Sequence, residues 1–277
     1  MKKILTIQDI SCVGKCSLTV ALPIISAMGV ETAILPTAVL STHTMFSNFV
    51  CQDLTETVKP FSEHWKAENI HFDAIYTGYL GSFEQIDLMK KLFDDFKSED
   101  NFVFVDPAMA DNGSLYPAFN EEFAKYMATL CAKADIIVPN ITEACFMTGT
   151  KYQTQYDEAY VKTLLKKLSE NGTPICILTG VGFSEDTTGV MGYDRNKDEY
   201  FYYSHEKLPV SFHGTGDIFS STCVGAIVRG YSWQEAVQIA ADYTAMCIRL
   251  TLADPSKPWY GVNFEEAIPD LVKRLGK

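Results

Sequence analysis

Short apolar runs alternate with longer stretches of helical periodicity along most of the chain. The runs are rich in β-branched and aromatic residues, which predicts buried strands, and they lie at residues 4–7, 31–35, 74–76, 102–105, 136–138 and 175–178. Between and after them, apolar residues recur every three or four positions, which predicts helices. The alternation predicts a doubly wound α/β fold, with a mostly parallel sheet flanked by helices, as one domain over residues 1–277.

Two features near the C-terminal end modify this plan. Residues 190–193 and 200–203 read as strands separated by the polar turn 194–198, which predicts an antiparallel hairpin at one edge of the sheet. The last helix, at 263–275, contains Pro269 and is expected to be interrupted or kinked there. No inserted group of strands near the N-terminus suggests a separate lid domain.

The first strand is followed by a polar loop at residues 8–15, a helix from about residue 16 to residue 28, and the second strand. This order predicts a β-α-β unit, and the loops after such strands form the ligand crevice of open α/β sheets. A phosphate-binding P-loop is excluded, because Asp9 stands where that pattern needs glycine and Cys16 where it needs Ser or Thr.

A glycine-rich motif at Gly214-Thr215-Gly216-Asp217 directly precedes an apolar helix. Two glycines allow a sharp turn that gathers backbone N–H groups at the positive end of that helix, where an anion binds well. Asp217 would be a carboxylate beside this anion site. A base next to a phosphate site suggests phosphoryl transfer to a hydroxyl group. An ordinary glycine turn that begins a core helix is the alternative.

Other polar residues follow predicted strands or lie between elements. The cluster at residues 41–44, within the irregular segment 37–50, suggests a flap over a substrate or else a plain loop. Asp106 ends the most apolar strand. Asn140 and Glu143 have the spacing of a capping box, which explains both residues without any ligand.

Composition narrows the function classes. The net charge is −12 with no long basic run, so a nucleic-acid binder is not expected. No apolar run is long enough to cross a bilayer, and no leader-like segment follows Met1, so a cytoplasmic protein is expected. The eight cysteines have no zinc-ligand spacing and are expected to be mostly reduced core thiols.

Several motifs together resemble a known family. Gly214 to Phe219 resembles the C-terminal signature of the ribokinase superfamily. Further motifs resemble its vitamin-kinase branch, the pyridoxal/pyridoxamine kinases: Ile7-Gln8, Val13-Gly14, Ser41-Thr42-His43-Thr44, Thr77-Gly78-Tyr79, Asp106-Pro107 and Pro139-Asn140-x-x-Glu143. They occur in family order from about residue 4 to residue 230, so the resemblance covers most of the chain.

The resemblance implies an ATP-dependent kinase that phosphorylates the 5′-hydroxymethyl group of a B6 vitamer. It implies Asp217 as the base, with Gly214, Thr215 and Gly216 as the anion hole for the γ-phosphate. The nucleotide contacts would be Asp111, Asn140, Glu143, Thr179 and Gly180. The Mg²⁺ residues would be Asp106, Asp111 and Glu143. The contacts to the vitamer ring would be Asp9, Val13, His43, Thr44 and Tyr79. A homodimer and a monovalent cation such as K⁺ are also implied.

Alternatives remain open. A hydroxymethylpyrimidine-type kinase of thiamine synthesis would bind a similar small ring, and His43-Thr44 favours the B6 substrate over it. A sugar kinase is disfavoured by the missing lid strands. A non-catalytic vitamer-binding protein would have little use for Asp217 or the three acids of the metal set. Asp9 stands where pyridoxal kinases usually have serine, which suggests a preference for a vitamer that carries an amine.

Overall fold

The computed structural model describes residues 1–210 and 212–276, in which strands and helices mostly alternate as far as residue 105 and less regularly after it. The strands are β1 (Lys3–Ser11), β2 (Glu31–Leu40), β3 (Cys51–Asp53), β4 (Ala74–Thr77), β5 (Phe102–Val105), β6 (Ala110–Asp111), β7 (Ser114–Leu115), β8 (Ile136–Ile137), β9 (Ile175–Thr179), β10 (Thr187–Asp194) and β11 (Glu199–Glu206). The helices are α1 (Leu18–Ala27), α2 (Thr55–Ala67), α3 (Phe83–Phe96), α4 (Glu121–Cys131), α5 (Ile141–Thr148), α6 (Glu158–Glu170), α7 (Thr215–Val228), α8 (Trp233–Ala253) and α9 (Phe264–Arg274). Within the described ranges, none of these helices combines the length and apolar composition of a membrane span.

The chain divides into two compact units. The first unit comprises Met1–Val58, His71–Ala74 and Leu208–Lys277, and the second comprises Lys59–Ile70 and Ile75–Lys207. The expectation that residues 1–277 form one domain stays a prediction.

In the first unit, β1 and β2 pair in parallel with α1 between them in the chain, which confirms the β-α-β prediction. The register shifts between Gln8 and Ile10, so Asp9 lies at an irregularity of β1. The short strand β3 pairs antiparallel with the end of β2. Such an irregularity turns a strand locally and re-aims the side chain at that position.

Strands β1 and β2 are both longer than the apolar runs that predicted them. β1 continues through Ser11 because its polar residues are buried with partners: the Gln8 amide, for example, donates to Thr6 Oγ1 over 3.0 Å. β2 continues to Leu40, so the irregular segment begins only at residue 41. The expected helix from residue 16 begins at Leu18 instead, with Ser17 as its N-cap.

Helices α7, α8 and α9 also belong to the first unit, and α7 packs against α1 and α8. Most of α7 is buried, including the small residues Ser220, Ser221 and Gly225, which allow close approach of its neighbours. Helix α9 continues through Pro269, so the expected interruption there is wrong, and the alternative of a kink stays a prediction.

In the second unit the strand order is β11-β10-β9-β8-β5-β4. Strands β5, β8 and β9 are parallel, and β9, β10 and β11 are antiparallel. The predicted edge hairpin is therefore confirmed, as is the doubly wound α/β fold with a mostly parallel sheet. The cores of β5 and β9 are fully buried, as expected for strands covered on both faces.

All eight cysteines are free. Five of them are buried, as expected, but Cys12 and Cys51 are exposed and Cys16 is half-buried. The expectation of core thiols is thus correct for most of them and wrong for these three.

Candidate active site

The N-terminus of α7 has the geometry of an anion site. Gly214 precedes the helix with φ of 81°, a left-handed conformation that favours glycine. The hydrogen-bond ladder of the helix begins where Ile218 N–H donates to the Gly214 carbonyl over 3.0 Å. The N–H groups of Thr215 and Gly216 come before this first bond, so they point out of the positive helix end. The Thr215 hydroxyl donates to the Phe212 carbonyl over 3.2 Å and fixes the turn.

Gly214 also packs directly on the loop that follows β1. A Cβ atom at this position would clash with the carbonyl oxygen of Lys15. The loop and the helix N-terminus therefore define each other's position, and glycine is required here for space as well as for its backbone conformation.

Asp217 lies in the first turn of α7 and is partly exposed, not enclosed in an apolar interior. Its negative charge reaches Cys16. Burial raises the pKa of the Cys16 thiol to about 12, and the carboxylates of Asp217 and Asp9 add to that effect. Burial and the nearby acids therefore favour the neutral thiol of Cys16, which is a weaker nucleophile than the thiolate.

Asp9 is buried, and both of its carboxylate oxygens accept hydrogen bonds. Ser17 Oγ donates to Oδ1 over 2.6 Å, and Ser11 Oγ donates to Oδ2 over 3.1 Å. Burial raises the pKa of Asp9 and outweighs these bonds, which favour the charged form. Ser17 holds its position with a positive φ of 53°, an uncommon conformation for a residue with a side chain. A buried, acceptor-only carboxylate next to strained backbone suggests a binding residue.

Backbone hydrogen bonds place Val13 beside His43. Val13 N–H donates to the Ser41 carbonyl and His43 N–H donates to the Val13 carbonyl, each over 3.2 Å. Gly14 is needed at this contact, because a Cβ there would lie 2.8 Å from His43 Cδ2. Thr44 follows on the exposed side of the loop. The structure therefore brings together three of the predicted vitamer contacts in the first unit, with Asp9 also in this unit.

The imidazole of His43 is held at both nitrogens. Met45 N–H donates to Nδ1 over 3.1 Å, which leaves Nε2 to donate to the Tyr260 carbonyl, also over 3.1 Å. This pattern defines a neutral ring with its proton on Nε2. Aromatic rings surround it, with centroids 5.0 Å away for Phe46 and 6.0 Å away for Trp259.

His43 is expected to make stability depend on pH. Burial lowers its pKa below the ordinary value of 6.5, and nearby His213 acts in the same direction. Below pH 6.5 the unfolded chain binds a proton that the folded His43 resists, so stability falls with decreasing pH until the folded pKa is reached. We expect the Tm of His43→Gln to fall less than the Tm of the wild type when the pH is lowered from 7.5 to 5.5. His71→Gln, which changes an exposed histidine, is the control, and an unchanged pH slope in His43→Gln would contradict the assignment.

In the second unit, Asn140 and Glu143 form the predicted capping box at the start of α5. They also hold the β6–β7 hairpin: Asn140 Nδ2 donates to the Ala110 carbonyl over 2.7 Å, and Met109 N–H donates to Glu143 Oε1 over 3.0 Å. Asp111 is at the exposed end of that hairpin. The structure thus explains Asn140 and Glu143 as supports of this hairpin, and their ligand roles stay predictions.

Asp106 and Glu143 are two buried acids whose charges repel each other, and they are called the acid pair below. The pKa of Glu143 is raised by burial and by the charge of Asp106. No group of three metal-ligating side chains occurs among residues 1–210 and 212–276. Mg²⁺ in kinases is held largely by phosphate oxygens and waters, with one or two carboxylates. The pair fits such an ion, because a cation would relieve the repulsion between the two acids.

The remaining predicted residues also lie in the second unit. Thr179 ends β9, and its N–H donates to the Pro139 carbonyl over 3.0 Å, which places it beside Asn140. Gly180 has φ of 71° and open space around the position of a Cβ. Tyr79 follows β4, with its ring 5.4 Å from that of Phe119.

Sequence reasoning missed the C-terminal segment of the first unit. Four residues of this segment contact His43 or the loop after β1, and they are Trp259, Tyr260, Gly261 and Asn263. They lie more than 200 residues further along the chain. Their only sequence signal was an aromatic pair between two helices, which has no characteristic period.

A carboxylate in the first turn of a glycine-led helix, within this mostly parallel α/β fold, defines a ribokinase-like kinase. The family model described as phosphomethylpyrimidine kinase matches residues 21–258, and the chain belongs to that family.

Three relatives show how close the similarity is. A structure from Bacteroides thetaiotaomicron, assigned to the phosphomethylpyrimidine kinases and solved with pyridoxal, is 37% identical with a TM-score of 0.92, covering 98% of this chain and 95% of that one. The pyridoxal kinase structure from Lactobacillus plantarum is 29% identical with a TM-score of 0.91, covering 99% and 98%. The pyridoxal kinase of Dictyostelium discoideum is 28% identical over 243 residues, covering 82% of this chain and 78% of its own length.

Proposed function

We propose that this kinase transfers the γ-phosphoryl group of ATP to the 5′-hydroxymethyl group of a B6 vitamer. The observation that carries the proposal is the partly exposed Asp217 beside the N–H groups of Thr215 and Gly216, in the same unit as Asp9, Val13 and His43. The relatives named as pyridoxal kinases, and the related structure solved with pyridoxal, support the choice of substrate.

In this proposal the chain supplies position and charge more than covalent chemistry. Phosphoryl transfer passes through a loose transition state, with charge on the equatorial oxygens of the transferred group. The N–H groups at the start of α7 would stabilise that charge, since they are already oriented before the reaction. Asp217 would accept the proton of the hydroxymethyl group as the new bond to phosphorus forms. Asp9, Val13, His43, Thr44 and Tyr79 would bind the ring.

The nucleotide contacts in this proposal are Asp111, Asn140, Glu143, Thr179 and Gly180. Asp106, Asp111 and Glu143 would hold Mg²⁺, which supplies positive charge to the phosphate oxygens. The effect of Asp106 on Glu143 supports this, because burial and then the charge of Asp106 raise the pKa of Glu143, and a cation would relieve that repulsion.

The resemblance to pyridoxal kinases further supports a homodimer and activation by K⁺. Free thiols throughout the chain support a reducing compartment such as the cytoplasm. Sedimentation analysis and a K⁺ titration of the activity test the first two points.

Asp9 is expected to set the preference among vitamers. A carboxylate held by Ser11 and Ser17 is suited to receive a protonated amine, and a charge-assisted hydrogen bond of this kind contributes about 1.5–3 kcal/mol. Asp9→Ser should therefore lower the ratio of kcat/KM for pyridoxamine to that for pyridoxal by roughly tenfold or more. Cys12→Ser, a change at an exposed position directly after β1, is the matched control. An unchanged ratio in Asp9→Ser would remove Asp9 from this role.

The family match keeps a hydroxymethylpyrimidine-type kinase as the second candidate. A coupled ADP-release assay with pyridoxal, pyridoxamine, pyridoxine, hydroxymethylpyrimidine and ribose separates the two. The proposal requires the highest kcat/KM with one of the three B6 vitamers. The highest value with hydroxymethylpyrimidine would replace it with the alternative, and no ADP release above background with any of them would favour a binding protein.

A further inference from the structure

One lysine of the loop after β1 contacts two other segments of the first unit, residues 261–265 and the turn at Gly214. The Lys15 ammonium donates to Asn263 Oδ1 over 3.1 Å and to Glu265 Oε2 over 2.8 Å, at the start of α9. Its side chain is only 19% exposed. The ammonium also lies 5.8 Å from the centroid of the Phe264 ring, within the range of a cation–π contact.

The backbone and stem of the same residue make the other two contacts. The carbonyl oxygen of Lys15 occupies the space where a Cβ of Gly214 would lie. Its side-chain stem packs against Gly261, where an added Cβ would lie 3.0 Å from Lys15 Cγ. A displacement of Lys15 would therefore be transmitted directly to the turn that begins α7.

Electrostatics explain why the ammonium needs its acidic partner. The N-terminus of α9 carries a partial positive charge, which disfavours a cation at this position. Glu265 in the first turn of the helix offsets that repulsion and holds the ammonium in place. Without the Glu265 charge, we expect this repulsion to move the Lys15 ammonium away from the N-terminus of α9.

Asn263, which accepts a hydrogen bond from the Lys15 ammonium, is itself held in place by other residues. Asn263 is buried, its Nδ2 donates to Asp254 Oδ2 over 2.9 Å, and its N–H donates to Thr251 Oγ1 over 2.8 Å. The loop around Lys15 is less enclosed, since Cys12 and Val13 are exposed. The residues of α8 and α9 therefore form the better-held part of this contact. The loop around Lys15 is the part that the contact stabilises.

We propose that Lys15 is a positioning residue, which uses its bonds to Asn263 and Glu265 to fix the N–H groups at the start of α7. The inference rests on the proposed phosphoryl transfer, because those N–H groups matter for the rate only if they bind the transferred group. Lys15 acts through Gly214 and the turn, without touching the substrate. Catalytic geometry is sensitive enough for this, since a misplacement of about 1 Å can cost 10²-fold in rate.

The test compares Lys15→Met, Lys15→Arg, Glu265→Gln and the double variant Lys15→Met/Glu265→Gln. The control is Arg274→Met, which breaks the 2.7 Å ion pair with Asp242 near the other end of α9. With pyridoxal and ATP, we expect Lys15→Met to lower kcat by roughly 10–100-fold with smaller changes in both KM values. Lys15→Arg should recover most of the rate, and the double variant should be no slower than Lys15→Met alone. Arg274→Met should keep its kcat within about twofold.

Hydrogen exchange gives a readout that does not depend on activity. Amides of residues 12–17 and 212–218 should exchange faster in Lys15→Met and Glu265→Gln than in the wild type or Arg274→Met. If Lys15→Met does not fold, Glu265→Gln alone carries both measurements. Unchanged exchange in these segments, or a kcat loss equal to that of Arg274→Met, would overturn the inference. A wild type that phosphorylates no vitamer would instead overturn the proposed function, while the exchange result would still report on the contact.

Discussion

Asp217→Asn is expected to lower kcat for the vitamer by roughly 10²–10⁴, in line with the loss of a general base. The amide keeps the size of the side chain in the first turn of α7 but removes its ability to accept a full proton. In a loose transition state the attacking hydroxyl becomes acidic only late in the reaction, so the base accepts its proton late. The substitution should therefore change substrate binding little. Steady-state kinetics with saturating ATP measure kcat and KM separately.

Glu235→Gln is the matched control for this substitution. Glu235 is also a carboxylate in the first turn of a helix, where it forms the capping box of α8 with Ser232. Its change to an amide should lower thermal stability only slightly and leave kcat within about twofold, since a capping box accepts Glu or Gln at this position. If Asp217→Asn loses no more rate than Glu235→Gln, Asp217 does not act as the base.

Much of the fold could be predicted from the sequence because its signals are local. The buried parallel strands are short apolar runs, and the edge hairpin at β10 and β11 follows from two strand-like segments around a polar turn. Both capping boxes, at Asn140 and at Ser232, depend on side chains three residues apart. Interactions of this range are visible in a single sequence.

The errors arose where tertiary contacts override local preference. Gln8 and Asp9 read as loop residues, yet they continue β1, where buried Thr6 accepts a hydrogen bond from the Gln8 amide and Ser17 donates one to the Asp9 carboxylate. β3 and α2, in residues 51–67, were not predicted at all. The exposed β3 has no alternating pattern, and α2 combines Pro60 with few buried positions.

The candidate site was predictable in its residues more than in its arrangement. The glycine motif marked the start of α7, but nothing local indicated that Lys15 fills the space beside Gly214. The environment of His43 depends on Tyr260, a separation in sequence of 217 residues. Glu143 was predicted to hold a metal. In the structure, its carboxylate accepts a hydrogen bond from the backbone N–H of Met109, next to the β6–β7 hairpin. These pairings depend on the packing of distant segments, which no local spacing encodes.

Gly214→Ala is expected to damage both stability and activity. A residue with a side chain pays about 1–2 kcal/mol for the left-handed conformation at φ of 81°. Its Cβ would also clash with the Lys15 carbonyl, backbone that moves only with its loop, at a cost of about 1–3 kcal/mol. We expect the free energy of unfolding to fall by about 2–5 kcal/mol. The kcat should fall by roughly 10²–10³, as for loss of an oriented N–H donor.

Gly230→Ala separates the clash from the backbone penalty. Gly230, just after the other end of α7, has φ of 97° and nothing within 4 Å of an added Cβ. It should therefore lose only about 1–2 kcal/mol of stability and keep its kcat. Urea denaturation and kinetics of both variants, at a temperature where each is folded, measure the difference. Because the two glycines share the same unfavourable backbone region, equal losses in the two variants would mean that the Lys15 carbonyl does not constrain the anion site. A larger loss in Gly214→Ala that is confined to stability would leave the contact structural, without a part in phosphoryl transfer.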